Sequence, residues 1–249
     1  MSDFNRGYAR TIPADRADMS VDAGLRSFML GVYNKLALGL VLSAVLAWLT
    51  VEFEPVTRLL YVTTPDGALA GFTPLGWLIR FAPLIVLVGA MFMRNASAQS
   101  SGILYWVVVS LIGAGLGVWL LEYTHTSVAL TFLVTASAFG VLSLVGYTTK
   151  KDLTGFGSFL IMGVWGLVLA SLIGMFWHPP GFSMIISGVG VLLFAGLIAY
   201  DTQNLKMTYY QLAGDQASMA VATNYGALGL YINFINLFQF LLSFLGNRR

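Results

Sequence analysis

Long apolar runs separated by short polar segments are the main pattern of this chain. A helix needs about 20 mainly apolar residues, with a range of about 17 to 25, to cross the hydrocarbon core of a bilayer. The runs show no strict alternation, and backbone groups left unpaired by an open strand cannot face lipid, so each run is predicted to be a helix. The sequence therefore predicts an all-α membrane protein with seven transmembrane helices, at residues 31–51, 77–93, 103–121, 127–147, 156–177, 182–200 and 226–245.

The composition supports this interpretation and excludes ordinary soluble proteins. Of 249 residues, 57% are hydrophobic and only 10% are charged, and the mean hydropathy is +0.79. These values lie outside the range of soluble domains. A formal net charge of +2 is too small to indicate a nucleic-acid partner, so the lipid bilayer is the partner that we expect.

The residues before the first run are polar. We predict a cytoplasmic tail at residues 1–29, followed by a seven-helix transmembrane domain at residues 30–249. A short interfacial helix is expected from Ala23 to Val32. We expect no signal peptide, because the polar leader is too long and no small-residue cleavage site follows the first apolar run.

The distribution of basic residues predicts the orientation. A cytoplasmic N-terminus puts nine lysines and arginines on the cytoplasmic side and four outside, as the positive-inside rule favours. Seven spans then place the C-terminus outside. Two arginines at that end argue against this, so a re-entrant seventh span stays open as an alternative. The nine are Arg6, Arg10, Arg16, Arg26, Lys35, Arg94, Lys150, Lys151 and Lys206, and the four are Arg58, Arg80, Arg248 and Arg249.

Polar residues inside the last two runs indicate a functional site. Asn233, Asn236, Gln239 and Ser243 fall within an arc of about 120° on one helix, so this face meets protein or water rather than lipid. Asp201 directly follows the sixth run, and an ionisable group at membrane depth is a functional hypothesis. The alternative is that Asp201 caps the polar segment 201–225 with its side chain.

Residues for catalysis in the membrane are missing from the pattern. No predicted span contains a histidine that could activate a serine. Tyr200-Asp201 resembles the Tyr-Asp of intramembrane aspartyl proteases, but the spans lack a second aspartate, and Asp215 lies in a polar loop. The chain has no cysteine and no metal-binding spacing of histidines. We therefore expect neither an enzyme nor a cofactor.

Small residues in the third run indicate close helix packing. The segment Gly113-Ala-Gly-Leu-Gly117 places glycines along the helix as in small-xxx-small motifs, which let two backbones approach. We interpret this segment as structural.

Four motifs, taken in order with the seven spans, identify a family. The chain resembles the Bax inhibitor-1 family, also called the transmembrane Bax inhibitor motif proteins, in its bacterial branch, from about residue 27 to the end. The motifs are Met93-Arg94; Tyr147-Thr-Thr-Lys-Lys-Asp-Leu-Thr154 followed by Gly157-Ser158-Phe159-Leu160; Ala199-Tyr-Asp-Thr-Gln203; and Leu230-Tyr-Ile-Asn-Phe-Ile-Asn-Leu-Phe238.

The resemblance implies six helices around a central seventh, closed by a seal on the cytoplasmic side. In the family this seal is a pair of aspartates that share a proton and are held by an arginine. The first aspartate matches Asp201 and the arginine matches Arg94, but the second aspartate position is Asn233, which departs from the family pattern. Because the second carboxyl group is missing, we expect a gate that does not respond to pH near neutrality.

The resemblance also implies the function. We expect a passive cation (calcium) leak in a bacterial inner membrane, with Asp201, Asn233, Arg94, Asn236 and Gln239 as its pathway and gate. Since a Ca²⁺ site usually has six to eight oxygen ligands, one intramembrane carboxylate predicts a transient, weak calcium contact at Asp201. The alternative is a non-conducting regulator that binds other membrane proteins, such as a membrane-bound ATP-dependent protease.

Overall fold

The chain folds into long helices that pack side by side. The computed structural model describes residues 23–65, 69–92, 96–174, 176–177, 181–212 and 215–248. Within these ranges it contains a two-stranded antiparallel hairpin, β1 (Tyr61–Thr63) and β2 (Leu69–Phe72), and eight helices. The helices are α1 (Ala23–Glu52), α2 (Glu54–Leu60), α3 (Pro74–Met91), α4 (Ala98–Glu122), α5 (His125–Thr148), α6 (Thr154–Gly174), α7 (Phe182–Leu212) and α8 (Gln216–Leu245).

Seven of the helices in the described ranges are long and apolar enough to cross a membrane, all except α2. This confirms the predicted all-α membrane protein with seven spans. The helices extend beyond the predicted runs, most of all at the junction of α7 and α8. The segment 201–225 was predicted to be a polar connection, and this is wrong, because α7 continues to Leu212 and α8 already begins at Gln216.

The start of the first span also differs from the prediction. Residues 23–32 do not form a separate interfacial helix but are the first turns of α1. Leu25 and Val32 are fully buried in the core, and Phe28 is nearly so. This segment is therefore fixed by packing rather than by the membrane surface. The tail at residues 1–22 lies outside the described residues, and the division of the chain at residue 29 stays a prediction.

Side chains cap several helix starts. Asp215 is the N-cap of α8, where its carboxylate accepts hydrogen bonds from the backbone N–H groups of Ala217 and Ser218. The side-chain and backbone hydrogen bonds from Ser218 hold the pKa of the Asp215 carboxyl below its usual range. Asp201, by contrast, lies inside α7, so the prediction that Asp201 caps the segment 201–225 is wrong.

The last helix is the most buried one. In the most apolar part of α8, 50% of the residues are buried, compared with 6% in α3. α8 packs against α1, α4, α5 and α7, whereas α3 packs mainly against α4, and α6 packs mainly against α7. A central last helix agrees with the expected arrangement, but a ring of six helices around it is not confirmed.

α8 crosses the whole bundle. The backbone N–H of Thr124 donates to the carbonyl of Asn247 over 3.1 Å, and Tyr123 forms a β-bridge with Arg248. Asn247 and Arg248 therefore lie beside the α4–α5 turn, at the end of the bundle that also carries the β1–β2 hairpin and that we call the hairpin end. The other end, where α1, α4, α6 and α8 begin, is the Asp215 end. A re-entrant seventh span is excluded by this path.

The glycines of α4 allow the close approach predicted from their spacing. A Cβ atom added at Gly113 would lie 2.6 Å from Ser43 Cα on α1. At Gly117 it would overlap the hydroxyl of Thr50, also on α1. Gly115 faces open space. The first and last glycines of the motif thus bring α1 and α4 into backbone contact.

Candidate functional site

The predicted pair of Asp201 and Asn233 is in direct contact. Asn233 Nδ2 on α8 donates a hydrogen bond of 2.6 Å to Asp201 Oδ2 on α7. Asn233 is buried, with 6% of its surface exposed, and Asp201 is half-buried. An amide is suited to this position, because it can donate to a carboxylate without adding a second charge.

A cleft of about 250 Å³ opens next to Asp201 toward the Asp215 end. It lies between the second half of α7 and the first half of α8, and each helix contributes residues spaced three and four apart, which is one helix face. The lining carries one carboxylate, one amide, one threonine hydroxyl and one phenol. The lining residues are Asp201, Asn204, Leu205, Thr208, Ala222, Tyr225, Gly226 and Gly229.

The residue after Asp201 is held by a buried chain of hydroxyl groups. Thr202 Oγ1 donates to the carbonyl of Ile198 and shares a hydrogen bond of 3.0 Å with Ser143 Oγ on α5. Ser143 in turn shares a hydrogen bond of 2.5 Å with the phenol of Tyr33 on α1. Thr202 is fully buried. The backbone that carries Asp201 is thus fixed from two other helices.

Gln203 holds the loop between α5 and α6. Its Oε1 accepts a hydrogen bond of 2.8 Å from the backbone N–H of Leu153, and its Nε2 donates to the carbonyl of Lys151 over 2.8 Å. The loop belongs to the motif at residues 147–154. The motif at residues 147–154 and the motif at residues 199–203 therefore form one contact.

Ala199 and Tyr200, the first two residues of the motif at residues 199–203, pack against glycines. A side chain at Gly146 on α5 would overlap the carbonyl oxygen of Ala199. A side chain at Gly157 on α6 would overlap the ring of Tyr200. Each residue from Ala199 to Gln203 therefore makes a different contact, and Asp201 is the one that faces α8.

The polar stripe of α8 continues toward the hairpin end. The Nδ2 of Asn236 donates to the carbonyl of Ile232 in its own helix. Gln239 and Ser243 line a second cleft, of about 370 Å³, between α6, α7 and α8. Ser187 Oγ on α7 donates to Ser243 Oγ over 3.0 Å at this cleft. The predicted stripe therefore connects two clefts near opposite ends of α8.

The remaining predicted site residue, Arg94, lies outside the described residues. Its pairing with Asp201 stays a prediction. Among the described residues, no group of three or more His, Asp or Glu side chains is close enough to hold a metal ion.

Sequence reasoning missed a second polar cluster at the Asp215 end. Asn224 on α8 accepts a hydrogen bond from the ammonium group of Lys35 on α1. Its amide nitrogen donates to the carbonyl of Ala98 over 2.9 Å and to the hydroxyl of Ser101 over 2.8 Å, both on α4. Asn224 is 6% exposed. It lies about 180° around α8 from Asn233, so the pattern that predicted Asn233 does not include it.

These features define a multi-pass helical membrane protein with a half-buried carboxylate at the inner end of a polar cleft. The sequence model described as "Inhibitor of apoptosis-promoting Bax1" matches residues 25–249. The chain therefore belongs to the Bax inhibitor-1 family, as its motifs predicted.

Similar bacterial proteins cover almost the whole chain. An uncharacterized protein of Caulobacter vibrioides is 65% identical, over 100% of both chains. An uncharacterized protein of Rickettsia prowazekii is 42% identical, over 97% of this chain and 98% of its own. The inner membrane protein YbhL of Escherichia coli is 38% identical, over 91% of this chain and 94% of its own.

Proposed function

We propose that the protein is a passive cation leak in a bacterial inner membrane, with calcium as the permeant ion. The observation that carries this proposal is the Asp201–Asn233 pair at the inner end of the cleft between α7 and α8. A carboxylate within a membrane helix is costly unless it faces protein or water. The cleft gives Asp201 such an aqueous side, where it attracts a cation.

The clefts of about 250 Å³ and 370 Å³ along α8 support an ion path that is closed in its middle section. The first cleft reaches Gly229 and the second begins at Gln239, so about 15 Å of helix separates them. The Asp201–Asn233 pair and Asn236 lie in this section. Both clefts adjoin the same face of α8. Separation of α7 from α8 in this section would connect the clefts.

A site with a single carboxylate is better suited to the passage of Ca²⁺ than to its tight binding. Ca²⁺ usually takes six to eight oxygen ligands, several of them from carboxylates. Asp201 supplies one carboxylate, and the cleft adds the side-chain oxygens of Asn204, Thr208 and Tyr225. The ion would keep much of its water shell here, which favours weak contact and fast release.

Calcium flux tests this function directly. We expect Ca²⁺ to enter proteoliposomes that contain the purified protein alone. Asp201→Asn is expected to lower the flux by about tenfold or more, because it removes the charge that attracts the ion, and about 1.4 kcal/mol of lost attraction corresponds to a factor of ten. Asp152→Asn is the matched control, since Asp152 is an exposed aspartate that caps α6 in the loop at the same end of the bundle.

Equal flux in the parent and in Asp201→Asn would remove Asp201 from the mechanism. Absence of flux in the folded parent would reject the leak itself. That result would favour the non-conducting alternative, a regulator that binds another membrane protein such as a membrane-bound protease.

We further propose that the Asp215 end is cytoplasmic and that the membrane is the bacterial inner membrane. Among the described residues, five lysines and arginines lie at the Asp215 end and three at the hairpin end. This bias agrees with the positive-inside rule. The name of YbhL, an inner membrane protein, supports the location.

Reporter fusions test this orientation. An alkaline phosphatase joined after residue 249 is expected to be active, because that enzyme folds only outside the cytoplasm. The same reporter inserted after Lys151 is expected to be inactive. The opposite result at both positions would reverse the orientation.

A further inference from the structure

The cleft at the hairpin end has an uncharged lining. This is the cleft of about 370 Å³ between α6, α7 and α8, which Trp119 on α4 also lines. Its volume lies in the range of about 300 to 1,000 Å³ that is usual for ligand sites. None of the described residues that line it is acidic or basic. The cleft is therefore suited to an uncharged group of a ligand.

Three side chains in the lining carry polar groups that the described part of the protein does not use. The amide of Gln239, the hydroxyl of Ser183 and the indole N–H of Trp119 form no hydrogen bond with a described residue. The hydroxyl of Ser187, by contrast, already has partners at Ser183 and Ser243. Polar groups at membrane depth are costly to leave unpaired. Since the unused groups are mainly donors, the cleft favours a ligand with acceptor oxygens.

The cleft lies at the depth where the hydrocarbon core of a bilayer ends. α6 has 21 residues and is therefore about 31 Å long, close to the thickness of about 30 Å of the hydrocarbon core. The last turn of α6, with Ser171 and Gly174, lines the cleft. Trp119 lies in the last turn of α4, and Phe182 is the first residue of α7. The ester carbonyls of bilayer lipids are found at this depth, between the acyl chains and the headgroups.

The cleft is open at the side of the bundle. α4 and α6 both line it but do not form a packed interface with each other. Ser171 on α6 and Ser183 on α7 are exposed. A lipid can therefore enter the cleft from the bilayer without passing through the protein.

Aromatic rings form apolar walls that are held in place by packing. The ring of Phe240 stacks on Phe194, with centroids 5.7 Å apart, and lies against Gly190. The ring of Phe182 lies against Gly174 at the end of α6. Such walls are suited to a hydrocarbon chain, because its burial removes apolar surface from water. The cleft thus offers apolar contacts and hydrogen-bond donors side by side.

We propose that this cleft binds a diacyl glycerolipid of the bilayer, and that the amide of Gln239 donates a hydrogen bond to an ester carbonyl of the lipid. The acyl chain that carries this ester lies against the aromatic walls. The cleft is also the mouth of the proposed ion path at the hairpin end, so the bound lipid closes this mouth. The lipid site itself does not depend on the leak, and its test needs no flux.

Competition between two phospholipids tests the site. Diacyl and dialkyl phosphatidylcholine of equal chain length have the same headgroup and differ in the ester carbonyls. The delipidated full-length protein in detergent is mixed with equal amounts of both, and native mass spectrometry measures which lipid is retained. We expect a preference of about fivefold or more for the diacyl lipid, because the dialkyl lipid leaves the amide without its acceptor. Equal retention of the two lipids by the parent would overturn the proposal.

Gln239→Leu removes the amide at similar side-chain size. The preference for the diacyl lipid is expected to fall to about one in this variant. Gln99→Leu is the matched control, since Gln99 is an exposed glutamine in the first turn of α4, at the Asp215 end. It is expected to keep the preference of the parent. A preference that survives in Gln239→Leu would show that this amide does not hold the ester.

Filling the cleft gives a second test, which also applies if Gln239→Leu does not fold. Ser183→Trp places a large ring in the cleft and is expected to abolish the preference for the diacyl lipid. Met184→Trp is the control, because Met184 is the next residue in α7, is 60% exposed and does not line the cleft. It is expected to bind as the parent does. If Ser183→Trp keeps the preference, the lipid binds elsewhere and the proposal is wrong.

A membrane quinone is the other source of carbonyl oxygens on an uncharged molecule, so ubiquinone-1 is added as a competitor. Retention of the quinone in place of the diacyl lipid would overturn the assignment to a glycerolipid. A parent that shows no calcium flux but keeps the diacyl preference would reject the leak and support the lipid site. The two proposals can therefore fail separately.

Discussion

Asn233→Asp is expected to give the leak a pH dependence that the parent lacks. The substitution places a second carboxyl group next to Asp201, at a contact where the amide now donates a hydrogen bond of 2.6 Å. Two carboxylates at this distance titrate as a coupled pair, and over part of the pH range they share one proton. We expect the flux to change by about tenfold or more between about pH 5 and 8, while the parent profile stays flat over the same range.

The matched control for this variant is Asn236→Asp. Asn236 lies one turn further along the same stripe, but its amide donates to its own helix at Ile232. A carboxylate there adds the same charge to the path without facing Asp201, so it shares no proton with Asp201, and its pH dependence is expected to be weaker than that of Asn233→Asp. Flat profiles in the parent and in Asn233→Asp alike would reject the idea that a shared proton controls this gate.

Gly146→Ala is expected to destabilise the protein by about 3 kcal/mol or more. The new methyl group would overlap the carbonyl oxygen of Ala199, and a backbone atom cannot turn aside as a side chain can. Overpacking in a tight core costs about 1 to 3 kcal/mol, and occasionally more. The measurement is thermal unfolding of the purified protein in detergent, followed by circular dichroism.

Gly140→Ala is the control, at a position six residues before Gly146 in the same helix, α5. A Cβ at Gly140 meets nothing within 4 Å, so the variant is expected to be as stable as the parent, or more stable by up to about 1 kcal/mol because alanine favours the helix. Equal stability of Gly146→Ala and Gly140→Ala would show that α5 and α7 are not fixed by this contact.

The spans could be predicted because lipid imposes a simple rule on length and polarity. All seven predicted runs lie largely within long helices. The ends could not be predicted in the same way, since hydropathy measures contact with lipid and not helical hydrogen bonding. The residues from Gln203 to Leu212 are too polar to be recognised as part of a span, yet they continue α7 because they pack against α8 and against the α5–α6 loop.

The candidate site was predictable to a similar degree. The stripe on α8 and the family motifs pointed to Asp201 and Asn233, and the structure places the two in contact. A stripe shows that a helix face meets protein or water, but not which helix lies opposite. The partner of Thr202 on α5, and the partners of Asn224 on α1 and α4, are far away in sequence and leave no periodic signal.

The position of α8 at the centre of the packing has a consequence for synthesis of the protein. Lys35 and its partner Asn224 are 189 residues apart. At a translation rate of about 5 to 20 residues per second, α1 is made about 10 to 40 seconds before α8 can reach it. During this time the first six spans stand in the membrane without the helix against which four of them pack. Until α8 arrives, the ammonium group of Lys35 has the rings of Tyr105 and Trp106 on α4 beside it, but not the amide oxygen of Asn224.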